Sequence, residues 1–93
     1  MIQQTMETRD IDVSELAAPE PMQVILSELA ILPKDKILRV THCRQPWPLY
    51  ERLVANGWLY ECDVINEDAV IIYIANERVK QEFIKFLADK QPK

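Results

Sequence analysis

Residues 11–32 read IDVSELAAPEPMQVILSELAIL. The first four alternate apolar and polar, which sets Ile11 and Val13 on one face of a short strand. The closely spaced Pro19 and Pro21 then mark a helix entrance. Pro19 suits the first helical turn, where its missing N–H leaves no bond unmade, and Glu20 favours the positive end of the helix dipole. Met22, Ile25, Leu26 and Leu29 recur at three-four spacing and predict one buried stripe, with Leu32 and Pro33 ending the helix.

The remaining chain extends this unit. KILRVTHC (36–43) predicts a second strand with Leu38, Val40 and His42 on one face and Ile37, Arg39, Thr41 and Cys43 on the other. RQPWPLYERLVANG (44–57) predicts a loop and a second helix, entered through Pro46 and Pro48. Leu49, Tyr50, Leu53 and Val54 form its apolar side, and the only glycine, Gly57, stops it. WLYECDVI (58–65) and AVIIYIA (69–75) are separated by the turn formers Asn66, Glu67 and Asp68, so they pair as an antiparallel hairpin. The second of these strands is apolar on both faces and therefore needs cover on both. The segment 76–90 can supply it, with Asn76 as a cap and Val79, Phe83, Phe86 and Leu87 as a stripe. A homodimer partner is the competing cover.

The expected order is strand, helix, strand, helix, strand, strand, helix. The first two strands should run parallel, joined by a right-handed crossover. The fold class is α/β, an α+β two-layer sandwich with about four strands in a mixed sheet and an additional C-terminal helix.

Size and composition narrow the function. The 93 residues, 48% of them apolar, make a single domain 1–93, with a core of about 10–75 and a C-terminal helix and tail at 76–93. The net charge of −4 comes from fifteen acidic and eleven basic side chains with no basic stripe, which argues against nucleic acid. No apolar run approaches the ~20 residues of a membrane span, and the first residues, MIQQTMETRD, show no signal pattern, so a soluble cytoplasmic protein is expected. Cys43 and Cys62 lack the paired spacing of a zinc site, and nothing calls for a cofactor or metal.

The order of elements, with IDVSELAAPEP and LPKDKILRV, resembles the TusA and SirA-like family of small sulfur carriers. The likeness covers roughly Ile11 to Ala75. In that family a strand leads into a Cys-Pro-x-Pro motif at the start of the first helix, and a Pro-Gly-Glu-like turn precedes the second strand. Ala18-Pro19-Glu20-Pro21 and Pro33-Lys34-Asp35 stand in those places here. Arg44, Pro46, Pro48, Leu49, Tyr50, Gly57 and Trp58 resemble an uncharacterised branch of the superfamily, domain of unknown function 2249. The resemblance implies a TusA-like β-α-β-α-β-β core. It also shows what is missing, because alanine at position 18 offers no nucleophile where a carrier's thiolate would be activated by the helix end.

The candidate site follows from topology. Ligands of parallel strand-helix units favour the C-terminal ends of the strands, where the loops ELAAPEP and HCRQPWP should meet. Ala18, Glu15, Glu20, His42, Cys43, Arg44 and Trp47 are the side chains to examine there. Arg44 and the helix ends could hold a small anion, with Trp47 as an apolar wall. His42 and Cys43 point to opposite faces, so they make neither a metal pair nor a catalytic couple. A buried histidine hydrogen-bonded at a strand end is the structural alternative. Cys62, on one strand face with Trp58, Tyr60 and Val64, reads as an inert core thiol, which leaves Cys43 as the candidate reactive one. The acidic residues near the start and around the hairpin read as solvated faces. Two functions follow: a non-enzymatic binding or interaction module that recognises a protein partner or small anion, or a thiol-dependent sulfur or redox carrier using Cys43 in place of the missing motif cysteine.

Overall fold

The computed structural model describes residues 6–90. Its elements are β1 (Glu7–Asp12), α1 (Glu20–Ile31), β2 (Lys36–His42), α2 (Trp47–Ala55), β3 (Trp58–Asn66), β4 (Ala69–Asn76), a 3-10 turn (Glu77–Val79) and α3 (Lys80–Lys90). The four strands form one mixed sheet in the order β1-β2-β4-β3. β1 runs parallel to β2, while β4 is antiparallel to both β2 and β3. The α+β class expected from the sequence is the one observed.

Each sheet face has its own core. On one face Val13, Leu38, Val40, Val70, Ile72 and Ile74 pack with Ile25 and Leu29 of α1 and Leu49, Tyr50 and Leu53 of α2. On the other, Ile37, Tyr73 and Ala75 meet Phe83 of α3, flanked by Val79, Phe86 and Leu87. The two-faced apolar character of β4 is thus satisfied within the chain: α3 packs on its own sheet. The Asn76 side chain caps the entry to that segment, accepting from the Arg78 N–H at 2.9 Å. Lys90 closes the other end, with its Nζ 2.7 Å from Asp63 of β3 and 4.8 Å from the centre of the Tyr73 ring.

Three local expectations change. β1 begins at Glu7, earlier than its apolar alternation, because its early residues are matched by charge across the ladder. Glu7 faces Lys36 in register, their side chains 2.9 Å apart, and Asp10 faces Arg39 at 3.5 Å. Val54 is 65% exposed rather than part of the buried side of α2. Val64 is 62% exposed rather than core, since it lies at the register shift near the tip of the β3–β4 hairpin.

Gly57 follows α2 with φ 81°, the left-handed conformation that a helix stop requires and that side chains resist. No helix among the described residues is long and apolar enough to cross a membrane.

Candidate functional site

The loops after β1 and β2 lie side by side, because those strands are parallel neighbours and the ladder continues past β1 through the Val13 N–H bond to the Thr41 carbonyl, 2.9 Å. Ala18 is exposed and sits just before Pro19, the cap residue of α1, so it is outside the helix. Glu15, Glu20 and Arg44 are exposed as well. The Asp12 carboxylate orders the start of the first loop, accepting from both the N–H and the hydroxyl of Ser14, at 2.9 and 2.6 Å.

His42 is only 5% exposed. Its Nδ1 accepts the N–H of Cys43 at 2.8 Å and that of Arg44 at 3.3 Å, which pins the turn out of β2. Accepting at Nδ1 requires the neutral ring with its proton on Nε2. Burial, with the Arg44 charge as a smaller cause, holds the imidazole below its ordinary value of 6.5, so it is neutral near pH 7. Cys43 is a partly buried free thiol directly after His42. Among the described residues no group of three or more His, Cys, Asp or Glu side chains could hold a metal ion.

One exposed apolar feature lies beside this loop end. Trp47 opens α2 and is 65% exposed. Its ring meets Tyr50 edge-on, at 5.4 Å and 88°, and Tyr50 in turn stacks on Tyr60 of β3 at 4.1 Å and 5°. The Tyr50 hydroxyl donates to Gln45 Oε1 at 3.0 Å, tying the loop to the helix. Burial, followed by its contact with Cys62, pushes the Tyr50 hydroxyl well above its ordinary value of 10.0. Cys62 is likewise pushed up, chiefly by burial, the inert environment expected of it. An open depression of about 420 Å³ is lined by Tyr50, Glu51, Val54, Ala55 and Tyr60. A second cavity of about 320 Å³ lies between α3 and the start of the parallel strands, lined by Met6, Lys36, Glu82, Phe86 and others.

The ladder places Val64 at this same end. Both His42 and Val64 pair with Val70, so the three residues stand in one row across the sheet. The surface therefore runs from Trp47 past the stack of buried Tyr50 on Tyr60 to Val54, with Val64 exposed separately further along β3 near the hairpin tip. Of the expected site residues, only Trp47 belongs to it. The spacing that places Tyr50, Val54, Tyr60 and Val64 on apolar faces holds for Tyr50, which is buried, and for Tyr60, which packs on the core, while Val54 and Val64 reach solvent.

These features define a small α/β domain with helices on both sheet faces and a ridge along α2 in which Trp47 and Val54 are exposed beside a largely buried tyrosine stack. Residues 10–76 match the family described as Uncharacterized conserved protein (DUF2249), and the chain belongs to that family. No curated protein and no solved structure matches the chain.

Proposed function

We propose that the chain is a non-enzymatic interaction module that recognises a partner protein through the ridge formed by α2 and β3. The observation that carries this reading is the exposure of two large apolar side chains of α2, Trp47 and Val54 at 65% each, on either side of the aromatic stack that holds this helix to β3. Exposed apolar surface of this kind is costly in water and marks interaction sites, and aromatic side chains dominate the binding energy of protein interfaces. Affinity capture from the source cell tests it. Trp47→Ala and Val54→Glu should each lose a protein that wild type retains, whereas Ile84→Ala, at an exposed position on α3, should keep it. Equal recovery by all four baits contradicts the reading.

Ala18-Pro19-Glu20-Pro21 supports kinship with the TusA and SirA-like sulfur carriers, with the carrier thiol lost. A second reading, a thiol-dependent sulfur or redox carrier, is favoured by the position of Cys43 in the loop next to the one that holds Ala18. Alkylation of the native protein across pH separates the two. A rate at Cys43 no faster than that of an unfolded control peptide removes the carrier reading.

A further inference from the structure

The two edges of the sheet are finished differently. β1 has six residues, and its Glu7, Arg9 and Asp10 are engaged by Lys36, Glu28 and Arg39, a common way of blunting an edge. β3 has nine residues and no strand on its outer side among the described residues. Its side chains divide by face. Trp58, Tyr60, Cys62 and Val64 lie on the α1–α2 face, where the first three pack against the core and Val64 is exposed. Leu59, Glu61 and Asp63 lie on the α3 face. Asp63 is held by Lys90, whereas Glu61 is exposed and has no ion pair among the described residues. Glu67 and Asp68 carry negative charge on past the end of the strand.

A second copy of the chain gains nothing for Glu61 at this edge. In a continuous sheet formed about a two-fold axis, the registers that pair most of β3 are centred on Glu61, Cys62 or Asp63. They set Glu61 against itself, Glu61 against the Asp63 that Lys90 holds, or Glu61 against Ile65; the first opposes like charges, which destabilises a ladder, and none offers Glu61 a cation. A strand of opposite charge does.

We propose that β3 accepts an extended basic segment of a partner protein as a fifth strand, with lysine or arginine beside Glu61 and apolar side chains beside Tyr60 and Val64. This rests on the interaction-module reading and names the chemistry of the partner. The free N–H and C=O groups of the edge supply the ladder, and the alternation of acid and apolar residues along β3 supplies the selection.

Amide spectra of the isotope-labelled protein, titrated with three nine-residue peptides, test this. One alternates lysine with valine, one glutamate with valine, and one lysine with proline, which keeps the charge but has no N–H to donate at the positions beside Tyr60 and Val64. The lysine-valine peptide should shift amides along residues 58–66 and bind at least about tenfold more tightly than the other two. Glu61→Lys should weaken it by about fivefold or more, the scale of one strong cross-strand pair. Equal binding of lysine-valine and lysine-proline peptides, shifts centred on β1 or α3, or a free protein that already dimerises through β3 would each overturn the proposal. If the peptides fail while Trp47→Ala and Val54→Glu still lose a captured protein, the edge proposal falls and the interaction module stands. Failure of both removes both.

Discussion

Replacing Phe83 with alanine strikes the contact that attaches α3 to the sheet. Phe83 is 3% exposed and packs against Ile37, Tyr73 and Ala75. Truncating a buried phenylalanine costs about 3–5 kcal/mol, the transfer of its ring plus the cavity left behind. Val79, Phe86 and Leu87 border the site and are only partly buried, so they can relax into part of the space, which places the expected loss near ~3 kcal/mol. A domain of this size is stabilised by roughly 5–14 kcal/mol in all, so a substantial share would vanish. Urea unfolding followed by circular dichroism should show the midpoint falling by more than about 1 M at an unchanged slope. Ile84→Ala, at a 51% exposed position on the same helix, should lose under about 1 kcal/mol. Equal effects from the two substitutions, or a midpoint for Phe83→Ala within about 0.3 M of wild type, would refute the docking of α3 on its own sheet.

The fold holds the His42 imidazole below 6.5, so the unfolded chain takes up a proton first as pH falls. Its contribution is therefore complete above pH 6.5 and shrinks as pH drops through 6.5 towards the folded value. Unfolding free energies at pH 7 and 5.5, with the ring signals of this single histidine, check this, and an imidazole titrating at or above 6.5 would contradict it. Gly57→Ala should cost ~1–2 kcal/mol for the positive φ, and the 3.2 Å approach of its new Cβ to Glu77 Oε2 should add little, since that carboxylate can swing away. Thermal unfolding of Gly57→Ala with and without Glu77→Ala decides, because full rescue by the second change would make the contact, not the backbone, the cause. Tyr50→Phe keeps the stack on Tyr60 but removes the hydroxyl's bond to Gln45, so a loss of ~1 kcal/mol is expected from chemical denaturation, with no loss showing that bond to be immaterial.

The elements legible in the sequence were those whose signals are local. Pro19 and Pro21 with the Ile25 and Leu29 stripe announced α1, and Asn56-Gly57 announced the end of α2. The apolar residues on both faces of β4 required a cover that the Phe83 stripe could provide. β1 was only half legible, because its early residues are held by Lys36 and Arg39 across the ladder rather than by burial, and pairing partners do not appear in a single stretch of chain. Val54 and Val64 misled for a related reason. Each sits at a position of correct periodicity, but whether an opposing element reaches it depends on where the hairpin and α2 end in space. His42 was legible as a buried strand-end histidine. The strand ends that lead into the loops around Ala18 and Arg44 lie side by side, as their parallel order implies, while the ridge beside them depends on α2 crossing β3 with Tyr50 stacked on Tyr60.

The most direct test of the α2–β3 ridge as a recognition surface is site-specific photocrosslinking in the source cell. A photoreactive side chain would be placed in turn at positions 47, 54 and 84, of which the first two lie on the ridge and the third is exposed on the opposite sheet face. A crosslinked protein shared by positions 47 and 54 and missing at 84 is the expected result. The same yield from all three positions, or a product at 84 alone, would contradict it.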